Sequence, residues 1–386
     1  MPASPSVARA INDRAALLLL CDGPLTAGRL AELTGLSRPS TADLLKRLQG
    51  AGLVTVVGAA EERRRGPNAL LYGLISDRVH VAALDIRRQS ASVVVGDLLG
   101  DVLAEATVPL DGGRHAVERT TELLAETLGA AGVDTPHTIC MGVPGLVDPA
   151  TGTLRVVPGM PDWHVPLIQA LRASLPRLVV DNETTFAALA EHRAGAARDR
   201  DSFAMLWLGN GPGGALVLDG KPRRGASGGA GELCYLPVPG MPVPTATGPG
   251  GLHGLVSSDS VVALAADHGV TAPVVPGEPA GAAVTRAAVE AGADRFLDAL
   301  ADRVAVGAMA ITAVVDPGCV VLGGELGHAG GAVLADRVAQ RLLAATPMPT
   351  QVRAGAFGGA GILRGALLTA CDAARDDLFG PADPRG

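Results

Sequence analysis

The sequence is poor in aromatic side chains: two Trp, two Tyr and five Phe stand among 386 residues. Large flat rings therefore do not build its cores. Gly and Ala fill many of the places instead, and they let helices and strands pack closely. Cysteine is sparse and scattered, since Cys21, Cys140, Cys234, Cys319 and Cys371 form no CxxC pair. That spacing argues against a disulfide frame or a cysteine-built metal centre, and a cytoplasmic protein is expected. No apolar run reaches the roughly 18 residues that a membrane-spanning helix needs. The opening MPASPSVARAINDR lacks the basic-then-apolar order of a secretion signal.

The length exceeds one ordinary core, so two or three domains are expected. The net charge of −7 is unevenly spread. Residues 1–80 carry ten Lys/Arg against seven Asp/Glu, and the remainder carries 22 against 32. A basic head on an acidic body suits a nucleic-acid reader fused to another module.

Residues 8–21 read as a helix with Ile11, Ala15, Leu18 and Leu19 on one face. In the next stretch, Thr26 is placed to cap a helix ending near Thr34, with Gly35 as the left-handed turn residue. Ser37 caps a second helix, Pro39 sits harmlessly in its first turn, and Leu44, Leu45 and Leu48 form its buried stripe. This is a helix-turn-helix whose second helix is the recognition helix. Arg38, Ser40, Thr41, Lys46 and Arg47 are its candidate DNA contacts. LVTVVGAAEERRRGPNALLYGL then gives strand, loop and strand, a wing with Arg63, Arg64 and Arg65 at its tip. Such a tip suits the minor groove. Residues 1–78 are thus read as a winged helix-turn-helix for double-stranded operator DNA.

From His80 onward, strands and helices alternate, which predicts an α/β fold. VHVAALDI, ASVVVGDLL and DVLAEATVPL make an antiparallel start, and AVERTTELLAETLGAAG is a helix. AVEAGADRFLDALADRVAVGAMAITAVV reads as one long helix before the strand GCVVLGGEL. Two such halves suggest a duplicated fold with a cleft between lobes.

The ordered pieces GVPGLVD, VPGMPDW, VVDNETTFAALAE, LGNGPGGALVLDG, RGASGGAGEL, VVLGGEL and FGGAGILRGALLTA resemble the ROK (repressor, open reading frame, kinase) family, in its repressor branch. The resemblance implies a two-lobed, actin-like (ribonuclease-H-like) domain over residues 79–386. It implies sugar phosphorylation in the kinases, and DNA release on ligand binding in the repressors. It also implies a homodimer or homotetramer, with a sugar or sugar-derived effector.

Carried over residue by residue, the resemblance shows losses. The family's first phosphate loop follows its aspartate with Gly-Gly-Thr, whereas Arg87, Arg88 and Gln89 follow Asp85 and Ile86 here. The family's Asn-Asp catalytic pair is Asn182-Glu183. The sugar-contacting glutamate matches Glu232, the histidine after it matches Tyr235, and a later glutamate falls at Gly254. Thr245, Thr247 and Leu252 stand where the family's zinc cysteines would be, so no metal is expected. Gly145, Asn182, Glu183, Glu232 and Tyr235 are the candidate ligand contacts. The plainer alternatives are a helix cap for Asn182 and a solvated carboxylate for Glu232. Gly209, Gly211, Gly213, Gly214 and Leu322–Gly324 are tight turns or a remnant phosphate loop. Asp148 and Asp162 are turn residues, and Trp163 packs at a lobe edge. Arg87 and Arg88 either pair with neighbouring acids or attract an anion. No catalytic residue and no cofactor is assigned. An active sugar kinase with a DNA-binding extension, and a regulator without a small-molecule effector, are the alternatives.

Overall fold

The computed structural model describes residues 5–60, 69–111, 113, 115–156, 160–175, 177–245 and 250–380. The head opens with α1 (Pro5–Cys21), a short strand β1 (Leu25–Thr26), α2 (Ala27–Thr34) and α3 (Arg38–Gly50). It closes with β2 (Val54–Ala59) and β3 (Leu70–Leu74), in a three-stranded sheet of order β1-β3-β2. The caps are those read from the sequence. Thr26 accepts from the Arg29 amide, Gly35 turns left-handed at φ 70°, and Ser37 accepts from the Ser40 amide. The buried face of α1 differs from the expected one. Ala16, Leu17 and Leu20 are buried, while Leu18 is 43% exposed.

The body contains two five-stranded sheets. After a 3-10 turn (Ser76–Arg78), the first lobe holds β4 (His80–Ile86), β5 (Ser90–Asp97), β6 (Val102–Pro109), α4 (Ala116–Ala130) and β7 (Thr138–Val143). A small ribbon follows, β8 (Leu146–Val147) with β9 (Leu154–Arg155), then α5 (His164–Ser174), β10 (Leu178–Asn182) and α6 (Glu183–Ala194). The second lobe holds β11 (Phe203–Leu208), β12 (Pro212–Leu218) and β13 (Lys221–Arg223). Its helices are α7 (His253–Val256), α8 (Ser258–Asp267), α9 (Ala280–Ala291) and α10 (Asp294–Val315). Then come β14 (Cys319–Gly323), α11 (Gly324–Ala345) and β15 (Gln351–Ala354). The last helix, α12 (Gly361–Phe379), returns to the first lobe and packs on α6, β4 and β7.

The sheets run β6-β5-β4-β7-β10 and β13-β12-β11-β14-β15. In each, an antiparallel three-stranded meander is extended by two parallel strands. The halves are therefore topological copies, as the two alternating runs of strands and helices suggested. One expectation is corrected: the long helix is two. Gly292 turns left-handed at φ 63°, the Ala293 amide reaches back to the Ala288 carbonyl, and α10 starts afresh at Asp294.

Head and first lobe share one apolar core. Leu17, Leu20, Leu30, Leu44 and Leu48 belong to the same buried cluster as Val81, Ala83, Val94, Ala366, Leu367 and Ala370. Continuous burial of this kind opposes independent movement of the two parts, because separating them would expose apolar surface to water.

Candidate functional site

Helix α3 is amphipathic, with Thr41, Leu44, Leu45 and Leu48 buried against the head. Arg38, Ser40, Lys46 and Arg47 face outward, as expected. Thr41 does not. It is 2% exposed and its hydroxyl donates to the Ser37 carbonyl, so it packs the helix instead of offering a contact. Arg47 is held to Asp13 of α1 at 2.6 Å, and Ser40 shares a 2.9 Å hydroxyl contact with its cap Ser37. Arg63, Arg64 and Arg65 lie outside the described residues. Sequence reading missed Asp43. It is exposed four residues before Arg47, and it stands with Ala42 and Lys46 on the face opposite the leucines. Its phase against the leucine stripe was the available signal.

The cleft lies between the sheets. Its first loop joins β4 to β5, and the Arg87 amide closes the turn on the Ser90 carbonyl at 2.9 Å. The guanidinium of Arg87 turns inward. Its Nε donates to Asp85 Oδ2 at 2.8 Å, its Nη1 to Glu325 Oε1, and its Nη2 to the Gly359 carbonyl at 3.0 Å. Of the two readings of Arg87, pairing with neighbouring acids is the one the geometry supports. Burial opposes its charge, but Asp85 and Glu325 overcome that and raise its pKa above the ordinary arginine value. Burial pushes the Asp85 carboxyl up, against the pull of Arg87. Its second oxygen, Oδ1, is buried without a hydrogen-bond partner.

Asn182 caps α6. Its Oδ1 accepts from the Thr184 amide at 2.8 Å and the Thr184 hydroxyl at 2.6 Å, and its Nδ2 donates to the Gly145 carbonyl at 3.0 Å. Glu183 follows as the first residue of that helix, partly exposed to the cleft. Burial, then the nearby Asp85 carboxylate, pushes its carboxyl up to about 8. Burial also raises Glu232, which accepts from the Cys234 thiol at 3.5 Å. Tyr235 is 44% exposed. A cavity of about 170 Å³ is lined by Arg87, Arg88, Glu183, Trp207, Asn210 and Glu325, among others. Glu183 lines it, while Gly145, Asn182, Glu232 and Tyr235 do not. Trp207, Asn210 and Glu325 were missed, although Asn210 and Glu325 flank the glycine turns already singled out.

The second glycine loop answers to packing. A Cβ at Gly214 would meet Leu233 at 2.9 Å and the Met205 carbonyl at 3.0 Å. Zinc does not fit the described residues at the corresponding positions, and Thr247 lies outside those residues. Leu252 is fully buried in the second-lobe core, Tyr235 is an exposed phenol, and the Cys234 thiol is spent on Glu232. Trp163 is buried in the first-lobe core rather than at the cleft. Asp148 is the turn residue expected, accepting from the Ala150 and Thr151 amides.

The pattern of the ROK family matches residues 81–373, and that of the MarR family matches residues 11–65. The chain belongs to the ROK family. The ROK match spans both lobes and their cleft, and the MarR match covers the helix-turn-helix. The Escherichia coli dual regulator NagC is 27% identical over 56% of this chain and 54% of its own length. The xylose repressor of Caldicellulosiruptor bescii is 25% identical over 54% of each chain. The bifunctional enzyme NanE/NanK of Brucella melitensis is 35% identical over 54% of this chain and 38% of its own length. The chain thus matches about half the length of the two curated regulators. Among solved structures, a ROK transcriptional regulator homologous to Escherichia coli MLC superposes with a TM-score of 0.73. It covers 96% of this chain and 98% of its own at 21% identity, and shows that the fold is shared. The ROK hexokinase of Thermus thermophilus gives 0.60, with 28% identity over 77% of this chain and 100% of its own. The ROK relatives therefore include both repressors and sugar kinases. Among the described residues, no helix is long and apolar enough to cross a membrane.

Proposed function

We propose that this ROK protein is a DNA-binding transcriptional regulator, a repressor whose operator affinity is set by a small ligand in the cleft. One observation carries the reading: a helix-turn-helix with an outward α3 shares its core with the first lobe of a ROK body. Head and first lobe then move as one unit, and the angle between that unit and the second lobe is the variable a ligand can bias. A ligand that favours one inter-lobe angle shifts the population, and in a homodimer or homotetramer the spacing of the heads follows. Two heads must meet half-sites about one DNA turn apart, so a small rotation weakens binding. A tenfold change in operator affinity needs only about 1.4 kcal/mol of differential ligand binding. A sugar or sugar derivative is the ligand class that the names of two relatives, a xylose repressor and an N-acetylglucosamine repressor, support.

The cleft is read as catalytically silent. Phosphoryl transfer depends on amides and cations placed around the phosphates, and here the Arg87 side chain is folded into that loop. The test is selection of bound DNA from a random library with the full chain, followed by titration of a sugar and sugar-phosphate panel against the selected operator. Sequence-specific binding that a panel member weakens is the expected result. No enrichment would sink the DNA reading. Sugar-dependent ATP consumption would restore the kinase reading.

A further inference from the structure

We infer that Arg87 is a built-in latch that clamps the two lobes of the cleft to each other. Arg87 stands on the β4–β5 turn of the first lobe. Its Nη1 reaches Glu325, in the first turn of α11 in the second lobe. Its Nη2 reaches the Gly359 carbonyl, in the 3-10 turn that leads from the second lobe back into α12. Its Nε is fixed by Asp85 on its own strand. One side chain thus joins a fixed point in the first lobe, the opposite lobe and the hinge segment between them.

The surroundings favour strength in this contact. The side chains of Asp85 and Glu325 are 5% and 13% exposed, and that of Arg87 is 28% exposed. In so dry a place a planar guanidinium with several fixed donors suits carboxylate and carbonyl acceptors far better than a point charge does. Leaving either acid behind without its partner is costly, because an uncompensated buried charge remains. The hinge is also built for close approach. A Cβ at Gly359 would meet the Glu325 carboxylate at 2.5 Å and its Cγ at 3.1 Å, so a larger residue there would push the Glu325 side chain from its place against Arg87.

A cleft closed by a nucleotide opens when the nucleotide leaves. Arg87 holds the two lobes together through the protein's own side chains, and an effector that changes the inter-lobe angle must act against that contact. The inference stands whether or not the head binds DNA.

The experiment is hydrogen–deuterium exchange on the full chain, read at peptides covering 84–92, 324–330 and 356–362, with X-ray scattering alongside. In the unaltered protein, magnesium-ATP at high concentration should leave exchange at all three peptides unchanged. Arg87→Ala should speed exchange about tenfold in the 324–330 and 356–362 peptides and enlarge the radius of gyration. Glu325→Gln keeps the shape and removes the charge. Arg87→Lys keeps the charge but cannot span three acceptors. Both should give intermediate exchange, and both serve if Arg87→Ala does not fold. The latch is overturned if these variants exchange like the unaltered protein, or if magnesium-ATP alone protects the three peptides.

Discussion

Arg14 in the first helix donates to Asp376 at 2.5 Å and to the Gly380 carbonyl at 2.8 Å, both at the far end of the last helix. Helix α12 thus begins beside the cleft and ends on the head. Its 19 residues make a rod of about 28 Å. Arg14 is the mostly buried member of the pair, at 16% exposure, so its loss removes packing as well as a contact. Arg14→Ala should cost about 1–2 kcal/mol of stability. Ligand-free operator affinity should change little, while the ligand's effect on that affinity shrinks. Operator titrations with and without effector, together with denaturant curves, measure both. An undiminished ligand effect would show that α12 does not carry the coupling.

Asp43 points outward on α3; with α3 in the major groove, as proposed, it would meet a polyanion, where only the exocyclic amines of cytosine and adenine repay a carboxylate. Asp43→Ala should therefore relax discrimination at one base pair, by about 1–3 kcal/mol, without weakening non-specific binding. Lys46→Ala and Arg64→Ala should instead weaken all sequences similarly and reduce the salt slope by about one each. Arg38→Ala should alter base preference. Fluorescence anisotropy on single-base operator variants at several salt concentrations separates these effects. A uniform loss from Asp43→Ala would place that residue away from the bases.

The protein as purified should carry no stoichiometric zinc. Tyr235, Thr245 and Leu252 supply no thiolate, and Leu252 belongs to the second-lobe core. Elemental analysis should find none, and chelators should leave thermal unfolding unmoved. One zinc per chain, lost on unfolding, would contradict the assignment.

His164 predicts an acid limit to stability. The ring is fully buried, neither nitrogen has a hydrogen-bond partner, and it meets Trp163 edge-on at 4.3 Å between centroids. Burial lowers its pKa to about 4, against 6.5 for the free side chain. The folded state resists protonation, so the unfolded chain binds the extra proton. The contribution is present above 6.5 and is lost as pH falls toward 4. The loss is on the order of 2 kcal/mol. Urea midpoints of the protein and of His164→Phe, taken from pH 7 down to 4.5, should diverge, with the variant holding its stability. Parallel curves would show that His164 does not set the acid limb.

Local features were legible in the sequence because their causes are local. Thr26, Gly35 and Ser37 announce their helix ends within three residues, and the alternation of strands and helices marked the two halves. The buried face of α1 was not legible. Leu17 to Leu20 are four leucines in a row, so periodicity offers two faces, and α12 decides between them from the other end of the chain. Arg87 posed the same difficulty. Its arrival in the phosphate loop was plain, but its partner Glu325 lies 238 residues away. Only the folded cleft shows that the arginine points inward. Asp43 was missed for another reason: an acid on a recognition helix runs against the expected sign of charge.

Glu183 turns the question of catalysis into a stability measurement. A general base in a kinase must lose its proton near working pH and sit beside the acceptor hydroxyl. The Glu183 carboxyl is pushed up to about 8 by burial and by Asp85, with Arg87 pulling the other way. For an acid raised in the folded state, the stabilising contribution is complete below the unfolded value of 4.5. It is lost as pH rises through about 8. Glutamine has the shape of the protonated acid and cannot ionise. Glu183→Gln should therefore match the parent at pH 5 and exceed it at pH 8.5, with the alkaline slope flattened. If the residue worked as a base instead, the same change would abolish a sugar-dependent ATP turnover measurable in the parent. Denaturant midpoints across pH and a coupled ADP-release assay on the same two proteins decide the matter. A flattened slope with no turnover in either protein fits the silent cleft, and turnover present in the parent and absent from the variant makes this chain a kinase.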